Sequence, residues 1–120
     1  QIGDADIAEF LLGNGADPNI LDAKRQTSLH LAVTSTNSNT DDMKLVELLL
    51  QHGSQVNICD LKSATPLRYA AKTSKEIIVK LLLNNGADPN IQSDDKNAPL
   101  HIAVGALMKV KNKEKLLISF

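Results

Sequence analysis

The sequence predicts an all-α solenoid in which helix-turn-helix units stack side by side. Three segments, FLLGNGADPNI, LLLQHGSQVNI and LLLNNGADPNI, resemble one another, and each ends in Asn-Ile, at Asn19, Asn57 and Asn90. A second motif, read as TSLHLAV, TPLRYAA or APLHIAV, starts eight residues after each of these asparagines. Two motifs that keep register over three copies indicate an internal repeat, and repeats of 30 to 40 residues are typical of solenoids.

The second motif predicts the first helix of each unit. Thr27 and Thr65 can cap a helix N-terminus, because their hydroxyl oxygens accept hydrogen bonds from free backbone N–H groups. Pro66 and Pro99 follow at the first helical position, where a missing N–H group costs nothing. Small residues such as Ala70 then recur at helical spacing, which lets neighbouring helices approach closely.

The first motif predicts the second helix of each unit and the turn after it. Leu45, Leu48 and Leu49 lie at i, i+3 and i+4, so they form one apolar helix face. The glycines that follow these helices and suit a left-handed cap are Gly15, Gly53 and Gly86. One such helix pair cannot bury its apolar face alone, whereas stacked copies share a continuous core.

The period of 33 residues, with TPLHxA followed by LLLxxGADxN, resembles the ankyrin repeat over nearly the whole chain. The resemblance implies an ankyrin-repeat solenoid with β-turn fingers between the helix pairs. Its register gives a partial repeat at 1–20, a full repeat at 21–58 with five extra residues, a full repeat at 59–91, and an incomplete repeat at 92–120 that stops inside its second helix. Both ends therefore look cut, and we expect further repeats of the same chain.

The chain departs from the family pattern at several positions. The family usually has a glycine with positive φ in the finger, where this chain has Arg25, Ser63 and Lys96. Either these residues cost on the order of 1 kcal/mol each there, or the finger adopts a different turn. Arg68 stands where the other units have His30 and His101.

Two stretches are longer than the repeat requires. The polar sequence TSTNSNTDD, at 34–42, predicts a solvated loop between two helices. The basic sequence GALMKVKNKEK, at 105–115, is more helical in composition, and its lysines alternate at i, i+2, so they would not form one stripe on a helix. We interpret this basic segment as a solvated connector.

No residue pattern predicts catalysis, a cofactor or a metal. His30 and His101 lie two units apart, so they cannot share one metal, and we expect each to tie its own turn to the neighbouring unit. Cys59 has only Lys62 nearby to activate a thiolate, so it is interpreted as a turn residue. By the resemblance, Asn19, Asn57 and Asn90 stabilise the hairpins, and asparagines at this position are hydroxylated in some family members.

The composition of the chain indicates which kinds of partner and which cellular compartment to expect. The net charge is −1 at pH 7 and the sequence pI is about 6.3, which gives no general attraction to nucleic acid or to an anionic membrane. No apolar run approaches the length of a membrane span, so no membrane insertion is expected. A single cysteine fits a reducing compartment, and we expect the cytoplasm or the nucleus.

The resemblance also implies where a protein partner binds, since turn tips and first helices line a concave face in the family. The positions carried over to this chain are Leu21, Ala23, Lys24, Gln26, Cys59, Leu61, Lys62, Ala64, Lys72, Asp94, Asp95 and Asn97. Charge changes along this face from basic at Lys24 and Lys62 to acidic at Asp94 and Asp95. We therefore expect a partner with the opposite gradient.

Three classes of function remain, in descending order. The first is a non-catalytic protein-interaction module of a regulatory, scaffold or adaptor protein. The second is a sensor of a small ligand or oligonucleotide, for which aromatic stacking residues would be needed beside basic ones. The chain has one tyrosine, which ranks this class below the first. An enzyme ranks last, because no triad, metal set or phosphate loop is present in the sequence.

Overall fold

The computed structural model describes residues 4–35, 40–73 and 75–118. Within these ranges the helices are α1 (Asp4–Gly13), α2 (Ser28–Ser35), α3 (Thr40–Gln51), α4 (Pro66–Lys72), α5 (Glu76–Asn84) and α6 (Pro99–Ile118). Helices α2, α4 and α6 pack in one row, α1, α3 and α5 pack in a second row, and α2–α3 and α4–α5 form pairs across the rows. The molecule is elongated, at 57 × 35 × 27 Å. The predicted all-α stack of helix pairs is confirmed.

The predicted helix starts are confirmed as well. Thr65 is the N-cap of α4, and its hydroxyl accepts from the N–H of Arg68 at 3.4 Å. Thr27 precedes α2, and its hydroxyl accepts from the N–H of His30 at 3.4 Å. Pro66 is the first residue of α4 and Pro99 the first of α6. Each proline thus takes the position where its fixed φ favours the helix and its missing N–H group costs nothing.

The backbone of the turns shows which conformation the fingers adopt where they lack the family's glycine. Gly15, Gly53 and Gly86 have φ of 93°, 90° and 91°, which confirms the left-handed caps. Arg25, Ser63 and Lys96 have φ of 58°, 56° and 64°. The fingers therefore keep the turn that a glycine would make, and three side-chain-bearing residues adopt a left-handed conformation to do so.

The core runs between the two rows of helices. Leu29 and Val33 of α2, Val46 of α3, and Leu67 of α4 are buried side chains of one apolar cluster. Ile78 and Leu82 of α5 belong to the same cluster. In α3 and α5 the apolar face read from the i, i+3, i+4 spacing is thus the face that the helix buries, and each unit shares its core with the next one.

The predicted loop at 34–42 is shorter than expected. Thr34 and Ser35 belong to the last turn of α2, and α3 already begins at Thr40. The hydroxyl of Thr34 donates to the carbonyl of His30 at 3.0 Å, and that of Ser35 donates to the carbonyl of Leu31 at 2.7 Å. These bonds to carbonyls four residues back let polar residues continue a helix. Residues 36–39 of the predicted loop lie outside the described residues.

The predicted basic connector is wrong. Residues 105–115 lie within α6, which runs from Pro99 to Ile118 as one helix of 20 residues. The segment from Ala106 to Lys115 contains no proline and is rich in Ala, Leu, Met, Lys and Glu, which have high helix propensity, so one glycine at its start does not end the helix. The first helix of this repeat therefore continues through the segment expected to be connector and second helix. Phe120, expected in that second helix, lies outside the described residues.

Candidate partner-binding face

The first two fingers are each held by one carboxylate that accepts from backbone N–H groups two and four residues later. Asp60 Oδ1 accepts from Lys62 at 2.9 Å and from Ala64 at 3.0 Å. Asp22 does the same in the finger before it, at 2.8 and 2.9 Å. The hairpin is closed by a bond from the N–H of Asp60 to the carbonyl of Ala64 at 3.0 Å. An aspartate that folds a turn onto itself in this way fixes the tip before any partner binds.

The third finger achieves the same turn with different residues. Ser93 replaces the aspartate, and its hydroxyl donates to Asp95 Oδ1 at 2.5 Å. Asp95 Oδ1 also accepts from the N–H of Asn97 at 3.1 Å. The Ser93 hydroxyl, followed by the Asn97 N–H, holds the pKa of the Asp95 carboxyl well below its usual range. Asp95 is therefore an anion in this finger at neutral pH.

The three fingers form a continuous row. The N–H of Leu61 donates to the carbonyl of Lys24 at 3.1 Å, which joins the first tip to the second. The N–H of Asp94 donates to the carbonyl of Lys62 at 3.0 Å, which joins the second tip to the third. These hydrogen bonds therefore join four of the predicted partner-binding residues into one edge, namely Lys24, Leu61, Lys62 and Asp94. The turn geometry, which is the same in each unit, directs their side chains.

The repeated asparagines connect one unit to the next. Asn57 Nδ2 donates to the carbonyl of Gly86 at 3.2 Å, and its Oδ1 accepts from the N–H of Asp88 at 2.8 Å. The same pair of bonds, at 3.0 and 2.8 Å, joins Asn19 to Gly53 and Gln55. Asn19 and Asn57 therefore occupy equivalent places in successive units, and their structural role extends beyond their own hairpin to the turn of the following repeat.

The two motif histidines differ in what they bind. His30 is fully buried, its Nδ1 accepts from the N–H of Thr27 at 3.1 Å, and its Nε2 lies 3.0 Å from the carbonyl of Ala64. With Nδ1 accepting, Nε2 donates, so this side chain ties its own turn to the neighbouring finger as expected. His101 Nδ1 accepts from the N–H of Ala98 at 3.0 Å, and the side chain is exposed. Among the described residues, the His101 side chain therefore forms a hydrogen bond only within its own turn.

Arg68 makes the bridge to the next finger in place of a histidine, which sequence reasoning missed. Its Nη1 donates to the Ser93 hydroxyl at 2.8 Å, and its Nη2 pairs with Asp95 Oδ2 at 3.1 Å. A guanidinium has five N–H donors and can bind both the Ser93 hydroxyl and the Asp95 carboxylate, whereas a neutral imidazole has one N–H donor. The signal in the sequence was the coincidence of two departures, an arginine at the histidine position and a serine at the aspartate position of the following finger.

A second cluster lies beneath the first two tips. Gln26 Nε2 donates to Asp60 Oδ2 at 3.2 Å, and the hydroxyl of Tyr69 donates to the same oxygen. Burial, followed by the hydrogen bond to Asp60, raises the pKa of Tyr69 to about 12. Burial raises the pKa of Asp60, but hydrogen bonds from Tyr69, Ala64, Gln26 and Lys62 together lower it below its usual range. Tyr69 and Gln26 are therefore fixed parts of the face.

The predicted partner-binding residues fall into three groups. The exposed ones are Leu21, Ala23, Lys24, Leu61, Lys62, Lys72, Asp94 and Asp95. Gln26, Cys59 and Asn97 are half-buried. Ala64 is buried, and its carbonyl accepts from His30 and Asp60, so its methyl group has no access to a partner. The tips, rather than the residues that close each finger, are the available surface.

The described residues offer no sign of metal or thiol chemistry. Among them, no group of three or more His, Cys, Asp and Glu side chains could hold a metal ion. The half-buried Cys59 lies 3.8 Å from the carbonyl of Asn57, and burial, with the charge of Asp60, raises the pKa of its thiol. A raised pKa reduces the thiolate fraction, which is the nucleophilic form. None of the described helices is both long enough and apolar enough to cross a lipid bilayer.

Known proteins resemble this chain over nearly its whole length. The model of a family described as ankyrin repeats (3 copies) matches residues 1–93 and 38–117. The E3 ubiquitin-protein ligase KEG of Arabidopsis thaliana is 33% identical over 114 residues, which is 94% of this chain and 7% of the relative. The transient receptor potential channel pyrexia of Drosophila melanogaster is 38% identical over 103 residues, which is 85% of this chain and 10% of the relative. The chain thus spans a tenth or less of either protein.

Proposed function

Because the chain belongs to the ankyrin-repeat family, we propose that it is a non-catalytic module that binds another protein through its row of finger tips. Ankyrin repeats generally mediate interactions between proteins. The finer proposal is that this chain acts within a larger regulatory, scaffold or adaptor protein, in the cytoplasm or the nucleus. Its similarity to short parts of a ubiquitin ligase and of an ion channel supports a module that serves proteins of unlike activity.

The observation that carries the proposal is that the three finger backbones are alike, whereas no two fingers have the same pair of side chains at the tip. The hydrogen bonds from Leu61 to Lys24 and from Asp94 to Lys62 put the tips in equivalent places. At those places the chain has Ala23, Leu61 and Asp94 in turn. A fixed backbone that presents unlike, exposed side chains is suited to recognition, since little conformational entropy is lost when a partner binds.

The charges of the tips indicate the polarity of the partner. Lys24 and Lys62 are exposed at the first two tips, and the third tip has the exposed carboxylates of Asp94 and Asp95. Arg68 compensates part of the Asp95 charge at 3.1 Å, so Asp94 is the more available anion. We propose a partner segment that is acidic beside the first two fingers and basic beside the third.

Affinity purification from cell extract with quantitative mass spectrometry tests this proposal. The test variant is Leu21→Asp with Leu61→Asp, which places charge at an exposed apolar residue in each of the first two fingers. We expect it to lose the partners that the wild-type chain retains, by about tenfold or more, because a charge facing an apolar partner surface must be desolvated.

The matched control is Ile77→Asp, which places the same charge at an exposed residue of α5, away from the fingers. Partners held by the finger row stay bound to this control. If the tip variant retains the same partners as the control, the finger row is not the binding surface. A second pair, Lys24→Glu with Lys62→Glu, should weaken the same partners, and unchanged recovery would contradict the proposed polarity.

A further inference from the structure

Arg68 of α4 uses one side of its guanidinium to hold the third finger. Nη1 donates to the Ser93 hydroxyl at 2.8 Å and to Asp95 Oδ1 at 3.5 Å, and Nη2 donates to Asp95 Oδ2 at 3.1 Å. The pair with Asp95 is therefore the fork in which both terminal nitrogens face one carboxylate. These bonds use both N–H groups of Nη1 and one of the two N–H groups of Nη2.

The other side of this guanidinium keeps two donors. The Nε–H group and the second N–H group of Nη2 lie along one edge, and together they are spaced to bind the two oxygens of a single carboxylate. We call them the free edge of Arg68, because none of the residues that the structure describes accepts a hydrogen bond from them. The Arg68 side chain is 18% exposed, so part of it is accessible from solvent.

The carboxylates that hold the two adjoining fingers are both bound elsewhere. Asp60 Oδ1 accepts from two backbone N–H groups of its own finger, and Asp60 Oδ2 accepts from the side chains of Gln26 and Tyr69. Asp95 Oδ1 accepts from the Ser93 hydroxyl, and Asp95 Oδ2 accepts from Nη2 on the opposite side of the guanidinium. Neither finger therefore supplies an acid to the free edge, which leaves these donors available to an acceptor from another molecule.

Positive charge is concentrated on this one helix of the first row. Lys72 is exposed and follows Arg68 by four residues, so the two side chains lie on the same face of α4. The same two motif places in α2 and α6 have no lysine or arginine, since they are occupied by His30 with Thr34 and by His101 with Gly105. The first helix of the middle unit is therefore the one that attracts an anion at this level of the face.

We propose that a glutamate or aspartate side chain of the protein partner binds the free edge of Arg68, beside Lys72. This inference rests on the proposed function, because it names one contact of the partner segment that is acidic beside the first two fingers. Arg68 is then a residue that determines specificity, since its planar edge binds both oxygens of a carboxylate. Ser93 and Asp95 already hold the guanidinium in place, so little side-chain entropy is lost when the partner binds.

A carboxylate fits this edge better than a phosphate does. Asp95, which lies 3.1 Å from Nη2 on the opposite side of the guanidinium, already offsets part of its positive charge. A phosphate monoester has about 1.5 to 2 negative charges at pH 7, so Asp95 repels it more strongly than it repels a carboxylate. An uncharged amide, as in glutamine, lacks the charge that strengthens hydrogen bonds to a guanidinium.

NMR of the arginine Nε–H groups tests this contact directly. The chain has two arginines, so Arg25, which is exposed, provides an internal control for Arg68. The probes are the N-acetylated α-amides of glutamate, glutamine and phosphoserine, each added at constant ionic strength. We expect the glutamate probe to shift the Arg68 signal saturably, with a Kd on the order of 10 mM, and to shift the Arg25 signal several-fold less. The glutamine probe should shift neither signal.

A pair of lysine variants tests the contribution of the neighbouring charge. Lys72→Gln should raise the Kd of the glutamate probe by about two- to threefold, because it removes a positive charge one helical turn from Arg68. The matched control is Lys80→Gln, which removes an exposed lysine of α5 that pairs with Glu76 at 3.0 Å. This control should leave the Kd unchanged.

Arg68→Lys tests the contact in the complete interface, because it keeps the positive charge and removes the edge with two donors. Circular dichroism checks that the variant is folded. In affinity purification from cell extract, it should recover about tenfold less of those partners that the variant Leu21→Asp with Leu61→Asp also loses.

Three results would overturn the proposal. An Arg68 signal that responds to the glutamate probe no more than the Arg25 signal does would show that the free edge is not a carboxylate site. Tighter binding of the phosphoserine probe than of the glutamate probe would assign the edge to a phosphate. Full recovery by folded Arg68→Lys of the partners that the tip variant loses would exclude Arg68 from the interface. Each of these results leaves the finger row intact as a binding surface, which fails only if the tip variant itself retains its partners.

Discussion

At three positions a residue with a side chain occupies the left-handed backbone region that usually favours glycine. Arg25, Ser63 and Lys96 have φ between 56° and 64°. The finger keeps its form because the backbone bonds around these residues are strong, as in the bond of 2.7 Å from the N–H of Lys96 to the carbonyl of Ser93. Hydrogen bonds that depend on the turn therefore outweigh the steric cost at its left-handed residue.

Replacing one of these residues with glycine should stabilise the chain. We expect Lys96→Gly to raise the free energy of unfolding by about 0.5–1 kcal/mol, since relief of the left-handed strain exceeds the added entropy of the unfolded chain. Lys96 is exposed, so few side-chain contacts are lost. Urea denaturation followed by circular dichroism measures the change. The control is Lys62→Gly, at a finger position outside the left-handed region, which should destabilise the chain or leave it unchanged.

The residue scale also shows what sequence alone could and could not predict. The helix caps and the turn glycines were predictable, because each depends on neighbours within four residues. The sequence left open whether Arg25, Ser63 and Lys96 would adopt the left-handed conformation that they have in the structure. The bridge from Arg68 to Ser93 and Asp95 was not, because it depends on side chains 25 and 27 residues apart. The burial of Ala64 was missed for the same reason, since its carbonyl lies against the His30 side chain of the preceding unit.

At the scale of the element, residues at the same position of the repeat motif contribute differently to stability. Leu67 and Leu100 occupy the same place in α4 and α6, yet the first is buried and the second exposed. The sequence predicted both as helix residues on an apolar face, and the position in the stack decides which of them is covered. The length of α6 was mispredicted because the residues from Ala106 to Lys115 have high helix propensity, so the helix continues through the expected connector.

Truncation of the two leucines should reveal this difference. Leu67→Ala should lower the free energy of unfolding by about 2–5 kcal/mol, because it leaves a cavity between α4 and its neighbours. Leu100→Ala should change it by no more than about 0.5 kcal/mol, as at other exposed sites. Chemical denaturation followed by circular dichroism provides the measurement. Equal losses at the two positions would contradict the difference in burial between Leu67 and Leu100.

At the scale of the whole molecule, stability is shared between neighbours rather than centred on one core. The buried cluster extends through α2, α3, α4 and α5, and each unit is tied to the next by the finger bonds and by an asparagine. Among the described residues, α1 and α6 have a neighbouring unit on one side. In a stack of this kind, local opening should cost least at the ends and most in the middle.

Hydrogen exchange should therefore be graded along the chain. We expect the amides of α4 to exchange through global unfolding and to be the most protected, because α4 packs against α2, α5 and α6. The amides of α6 beyond Ala106 should exchange orders of magnitude faster, since Leu107, Met108 and Lys109 are exposed and a helix in water without packing is marginal. Exchange followed by NMR at low concentration separates these classes, and equal protection of α4 and the end of α6 would contradict the graded stack.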